Sequence, residues 1–181
     1  EKSLEHDSII EEVETFCFKH HLNCWGVSIY TKKYINKIVK TSNCKIIQMP
    51  FSVLNQSMLK NKSIIKLKRA DKIIHARSIF TQGLIFKSPI FFKNKNREMK
   101  TILSFLENVA KEKKCQLSNL ALQFVLHFKN INNVIIGIDN INQLKELFKY
   151  QSFVLDEEII SKIVELTDTL PYNVVRPERW N

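Results

Sequence analysis

The stretch Cys24-Trp25-Gly26-Val27-Ser28-Ile29-Tyr30-Thr31-Lys32-Lys33-Tyr34-Ile35-Asn36-Lys37-Ile38-Val39-Lys40-Thr41-Ser42-Asn43-Cys44-Lys45-Ile46-Ile47-Gln48-Met49-Pro50 changes its hydrophobic period twice. Its first six residues form the short apolar run of a buried strand. Thr31 then opens a segment with Ile35, Ile38 and Val39 at helical spacing, and Lys45-Ile46-Ile47-Gln48-Met49 returns to a strand that Pro50 ends. Strand, helix and strand in that order predict parallel pairing through a right-handed crossover.

The same alternation continues outward. Upstream, Ile9, Ile10, Val13, Phe16 and Cys17 recur at helical spacing, with Ser8 as the N-cap and acids early, until Asn23 breaks the helix. Downstream, a third helix is predicted over 56–70, and Lys72-Ile73-Ile74-His75-Ala76-Arg77 is the third strand. Residues 78–96, with Gly83 and Pro89, lack strong periodicity and read as a functional loop. Helices follow over 97–113 and from a Ser118 cap through Leu120, Leu122, Phe124, Val125 and Phe128. Asn133-Val134-Ile135-Ile136-Gly137 is the fourth strand, Asn140 starts its helix, and Asp156 caps a final one. Four βα units in a single α/β domain over residues 1–181 fit part of a doubly wound sheet or half of an eight-stranded barrel.

Composition narrows the function. The net charge of +10 would suit nucleic acid or an anionic surface, but the lysines are spread along the chain. The densest basic stretch, from Lys60 to Lys72, also holds Ile64, Ile65 and Leu67, so it reads as the solvated side of an amphipathic helix. No aromatics interleave it as a base-stacking platform requires. Cys17, Cys24, Cys44 and Cys115 form no C-x-x-C pair and read as reduced thiols. His20 and His21 are adjacent and lack zinc-ligand spacing to any cysteine pair, so no metal site is expected. No apolar run approaches the roughly 18 residues of a membrane span, and no leader is visible. The expected location is cytoplasmic, with neither nucleic acid nor membrane as partner.

Four local motifs, in order, carry a family resemblance. Gly26-Val27-Ser28-Ile29-Tyr30 resembles a strand-end segment of the aldo/keto reductases, and Ile47-Gln48-Met49-Pro50-Phe51-Ser52 resembles the next strand end. Arg77-Ser78-Ile79-Phe80-Thr81-Gln82-Gly83-Leu84 looks like the loop that covers the cofactor. Leu120-Ala121-Leu122-Gln123-Phe124-Val125, then Val134-Ile135-Ile136-Gly137 and Gln143-Leu144, look like the last helix, strand and adenosine-binding turn. The closing Pro177…Trp180-Asn181 also occurs in a bacterial branch, which by analogy suggests sugar-related metabolism.

The resemblance implies a TIM-type (β/α)8 barrel that reduces an aldehyde or ketone with NADPH or NADH, here as its C-terminal half. A barrel of this class runs to about 250 residues or more, against 181 here. The family's catalytic Asp, Tyr and Lys come from the first three strands, and those strands are not in this sequence. His6 occupies a place compatible with the family's catalytic His; its alternative is an exposed terminal residue. Ser28 and Gln48 would bind the nicotinamide carboxamide, although Ile29 stands where members often have Asn. Arg77 replaces an aromatic that stacks on nicotinamide, and its plane could stack or pair with pyrophosphate. Ser78 to Gly83 would cover the pyrophosphate. Gly137, Asp139, Gln143 and Glu146 surround the adenosine turn, where Gln143 cannot neutralise a 2′-phosphate as an Arg would. His75 and His127 read as core or interface histidines, and Tyr30 has no lysine placed by motif to lower its pKa.

Two functions follow. One is a truncated oxidoreductase, inactive alone and completed by an N-terminal half; the other is a non-catalytic dinucleotide-binding or interaction module. Four isolated parallel strands leave two edges and one face open, which predicts docking of the missing half or self-association.

Overall fold

The computed structural model describes residues 2–92, 96–149 and 153–170, which form two compact units. The first unit comprises the residues up to Pro50, Ser57–Arg77 and Asn130–Val134; the second comprises Phe51–Gln56, Ser78–Lys129 and the described residues from Ile135 onward.

In the first unit, α1 (Asp7–Lys19) is followed by β1 (Trp25–Ser28), a 3₁₀ turn at Lys32–Tyr34, α2 (Ile35–Lys40) and β2 (Cys44–Pro50). Then come α3 (Ser57–Lys60), α4 (Ser63–Arg69), β3 (Ile73–Arg77) and the two-residue β4 (Asn133–Val134). The strands are parallel and ordered β1-β2-β3-β4. A doubly wound sheet reverses its strand order at a switch point. This sheet does not, and it follows the sequential path of a (β/α) barrel. Among the described residues no strand pairs with the outer edge of β1 or of β4.

Register divides the sheet into two unlike faces. Ile47 and Ile74 pair, as do Met49 and Ala76, and all four have 0% exposure. The alternate positions Ser28, Gln48, His75 and Asn133 are mutual register partners, so they line up as one polar row across all four strands. Ser28, Gln48 and His75 are half-buried and Asn133 is exposed. His75 Nε2 lies 3.0 Å from Asn133 Nδ2.

Several boundaries differ from the sequence reading, each for a local reason. Ser8 lies inside α1 and is not its cap, because extended His6 occupies the N-cap position without a side-chain capping bond. The expected helix over 56–70 is two helices. Lys62 between them is left-handed (φ 60°), and Asn61 Oδ1 accepts from the Ser63 amide, an Asx turn that outcompetes the helical bond. Ile65 is exposed, whereas Ile64 and Leu67 are buried. The fourth strand ends at Val134 rather than Gly137: its last register pair is Ala76 with Val134, and Ile135 begins a segment of the second unit.

No strand precedes α1 among the described residues. Lys2–Glu5 is a 3₁₀ turn held by the far side of the unit. Lys37 Nζ donates to the Leu4 carbonyl (2.7 Å) and pairs with Asp7 (2.6 Å). Glu5 takes Lys33 Nζ at 2.8 Å and the Tyr34 hydroxyl. The Lys33 and Tyr34 hydrogen bonds lower the Glu5 pKa to about 2. A carboxylate with a depressed folded pKa stabilises above its unfolded value and loses that effect as pH falls toward its folded one. Anchoring of this turn is therefore expected to weaken between about pH 4.5 and 2. Amide exchange at Leu4 and Glu5 measures this; protection unchanged down to pH 2 would refute the anchor.

Two buried groups complete the unit. Lys72 is buried, with Nζ donating to the Thr41 carbonyl at 2.6 Å, and burial lowers its pKa. Burial also pushes the Cys44 thiol up to about 11. All four cysteines are free; Cys17 is buried in α1, whereas Cys24 precedes β1 and is half-buried.

The second unit contains 3₁₀ segments at Thr81–Phe86 and Pro89–Phe92 within the expected loop, then α5 (Arg97–Glu112), α6 (Leu117–His127), α7 (Ile141–Lys149) and α8 (Glu157–Asp168). Asn96 Oδ1 caps α5 through the Met99 amide (2.6 Å). Asn140 Oδ1 caps α7 through the amides of Asn142 and Gln143. Ser118 is not the cap of α6; Gln116 holds that position without a side-chain bond. Asp156 is at the N-cap of α8, but its carboxylate goes to Lys113 Nζ (2.5 Å) instead of the helix amides. The core here centres on Phe51 and Phe124, both with 0% exposure, whose rings lie 5.0 and 5.2 Å from that of Phe128. No described helix is long and apolar enough to cross a membrane.

Candidate cofactor site

Polar side chains at the C-terminal ends of parallel strands are where barrel enzymes gather function, and the first unit places three of the expected residues together there. Ser28 ends β1, Gln48 is its register partner on β2, and Ile29 N donates to Gln48 O at 2.9 Å. Arg77 ends β3, level with Pro50 on β2. Its side chain reaches back across β2, so that Nε donates to Ser28 Oγ at 3.1 Å, and its guanidinium carbon lies 4.2 Å from the centre of the Tyr30 ring. The hydroxyl of Ser28 accepts from Arg77 and so has its own proton to give. Gln48 can donate and accept. The strand-end row therefore matches a ligand amide, which has one acceptor and one donor.

The other expected residues belong to the second unit, apart from His6. Ser78 is exposed, and its backbone is left-handed (φ 57°), as is that of Thr81 (49°), Gln82 (51°) and Gly83 (81°). Only at Gly83 is that conformation free of Cβ strain, and nothing lies within 4 Å of where a Cβ would stand. Thr81 and Gly83 donate their amides to Ser78 O and Phe80 O, which closes the loop on itself. In the 137–146 turn, Gln143 Oε1 accepts from the Asp139 amide (2.9 Å), and Nε2 lies 3.5 Å from the Asp139 carboxylate. Gly137 is exposed with open space around it. The Glu146 carbonyl accepts from Asn119, and its carboxylate lies 3.8 Å from Lys149 Nζ. His6 is exposed at the start of α1 and takes no part in the Ser28–Arg77 network. His127 Nε2 is 3.6 Å from Glu157.

The sequence model of the aldo/keto reductase family matches residues 9–168. The chain belongs to the aldo/keto reductase family. Among solved structures, it is similar to a thermostable aldo-keto reductase, Tm1743, in complex with the inhibitor epalrestat. The TM-score is 0.64 at 14% identity, covering 86% of this chain and 53% of that one. At that identity the likeness shows the fold, an aldo/keto reductase barrel type, and this chain spans about half the length of that structure. No curated protein sequence matches this chain.

For an aldo/keto reductase chain, three features of the structure were not visible in the sequence. First, the Ser28–Arg77 bond joins residues 49 apart. Second, Ser52, Gln56, Thr81 and Thr167 form a buried polar cluster. Ser52 Oγ is 3.1 Å from Thr81 Oγ1, Gln56 Nε2 donates to Ser52 O (2.7 Å), and the Thr167 hydroxyl bonds Gln56 Oε1. This ties the left-handed loop to the segment after β2, and the Ser/Thr content of the quoted loop motifs was its only trace. Third, Tyr34 has Lys33 Nζ 4.9 Å from its ring centre, but its hydroxyl is given to Glu5. Among the described residues no three His, Cys, Asp or Glu are grouped to hold a metal ion.

Proposed function

We propose that this chain is the cofactor-binding C-terminal half of an NAD(P)H-dependent reductase of aldehydes or ketones. The observation that carries the reading is the pairing of Ser28 with Gln48 at neighbouring strand ends, with Arg77 fixed on Ser28. Ser28 would donate to the carboxamide oxygen and Gln48 would take the carboxamide NH₂, which fixes the ring face presented to substrate. When bound, the nicotinamide supplies the hydride. The Ser78 to Gly83 loop is proposed for the pyrophosphate on the strength of its left-handed backbone. The Gly137, Gln143 and Glu146 turn is proposed for the adenosine end. The Asp139 carboxylate beside Gln143 favours ribose hydroxyls over a 2′-phosphate, hence NADH over NADPH.

Proton donation would come from the Asp, Tyr and Lys of a complementary N-terminal half, with His6 as the histidine. That half, or a second copy of this chain, would cover the open edges of β1 and β4. A sugar-related carbonyl substrate and a cytoplasmic location complete the proposal. One observation favours the second reading, a non-catalytic dinucleotide-binding module: Tyr34, which lies beside Lys33, has its hydroxyl engaged by Glu5.

Fluorescence titration with NADH and NADPH tests the site. Binding is expected, with NADH tighter, and Ser28→Ala and Gln48→Ala should each weaken it about three- to tenfold, the loss of one hydrogen bond. The chain alone should not reduce an aldehyde, and an added half bearing Asp, Tyr and Lys should restore turnover. Binding without recovered turnover would favour the module, and no binding of either dinucleotide would sink both readings.

A further inference from the structure

We propose that Thr81 is a positioning residue for the dinucleotide: its buried hydroxyl, bonded to Ser52, sets the 78–83 loop in one left-handed shape before any ligand arrives. This rests on the reading of that loop as the pyrophosphate site.

The backbone of Thr81 is the anomaly. Among the described residues, seven other than glycine have positive φ, and Thr81 (φ 49°) is the only β-branched one. A branched Cβ crowds the chain in that region, so a simple turn would use glycine, asparagine or aspartate there. Such conformations persist only where the surroundings impose them, and they collect at functional sites. At Thr81 the surroundings can be named. The residue is buried, and its Oγ1 lies 3.1 Å from Ser52 Oγ. Ser52 is a fixed post. Its hydroxyl oxygen accepts from the Leu54 amide (3.2 Å), and its carbonyl accepts from the Asn55 amide (3.1 Å) and from Gln56 Nε2 (2.7 Å). Gln56 Oε1 is held in turn by the Thr167 hydroxyl.

A glycine at this position would reach the same φ without strain, but it would have no hydroxyl to place it, and many loop shapes would compete. With threonine, Gln82 (51°) and Gly83 (81°) continue the left-handed path from a fixed point. The Gly83 amide is committed to the Phe80 carbonyl at 3.0 Å. A loop ordered in advance spares the ligand the entropy of ordering it, and the saving appears as affinity.

Variants at position 81 separate the hydroxyl from the backbone. Thr81→Val keeps the branched Cβ and removes the hydroxyl, whereas Thr81→Ser keeps the hydroxyl. In fluorescence titration of the full chain with NADH, Thr81→Val should bind about three- to tenfold more weakly, the loss of one hydrogen bond, and Thr81→Ser should stay within about twofold of wild type. Ser52→Ala should weaken NADH binding as Thr81→Val does. The double variant should be no worse than either, because one bond can be lost only once. Exchange of the Gly83 amide, measured without ligand, should quicken in Thr81→Val and not in Thr81→Ser. Wild-type NADH affinity in Thr81→Val would overturn the proposal, even with faster exchange at Gly83, since the bond would then serve the fold alone. So would a Thr81→Ser protein as weak as Thr81→Val, or losses that add in the double variant. If wild type binds no NADH, the dinucleotide reading fails and this proposal with it, a result distinct from binding that Thr81→Val retains.

Discussion

Gly26→Ala is expected to destabilise the protein by about 2–3 kcal/mol, the cost of forcing a side chain into a filled space. A Cβ at residue 26 would stand 2.5 Å from the Ile46 carbonyl oxygen and 2.7 Å from Ile46 Cβ. Neither atom is the far end of a flexible side chain. The obstacle is the body of β2, and β1 can yield only by separating from β2. A register irregularity lies between Trp25 and Gly26, beside this close approach. Ser28 lies two residues further along the displaced strand, so dinucleotide affinity should fall together with the melting temperature. Thermal unfolding monitored by circular dichroism, beside the NADH titration, measures both. An alanine variant with the wild-type midpoint would mean that β1 and β2 are not packed this closely.

Phe124→Ala should cost more, about 3–5 kcal/mol, because a fully buried aromatic leaves a cavity its neighbours cannot close. Phe124 has 0% exposure and stands 6.1 Å from Phe51 and 5.2 Å from Phe128, centre to centre. Phe51 begins the segment whose Ser52, itself held by Gln56, bonds Thr81, so loosening the ring cluster should also loosen the 78–83 loop. Chemical denaturation gives the stability loss, and amide exchange at Thr81 and Gly83 reports the loop. Phe18→Ala is the contrast: Phe18 is 85% exposed, and its replacement should change stability by no more than about 0.5 kcal/mol. Comparable losses for the two variants would show that the core is not centred on Phe51 and Phe124.

The first three strands were readable because each is a short apolar run with a polar residue at or near its end, Ser28, Gln48 and Arg77. Burial on one face demands the apolar run. Ser28, Gln48 and Arg77 could therefore be named from local pattern, and their order supported the family. Which of them touch could not. Arg77 finds Ser28 across β2, and that depends on a register set by three strands together. The same holds for Thr167 and Gln56, 111 residues apart. Helix ends were misjudged where short polar residues had alternatives. Ser118 is the second residue of α6 rather than its cap, and Asn61 turns the chain at Lys62 where apolar spacing alone ran on. The tail Pro177…Trp180-Asn181, on which the bacterial-branch resemblance leaned, lies outside the described residues.

Lys72 gives the molecule a built-in reporter. In a lysine-rich chain whose amines are otherwise largely within reach of water, this residue is buried, with its ammonium on the Thr41 carbonyl at the end of α2. An amine-reactive probe, or an acetylating enzyme, should reach it only after the contact with the Thr41 carbonyl opens. The rate at which residue 72 becomes labelled would thus time that local opening, against a background of exposed lysines that react at once.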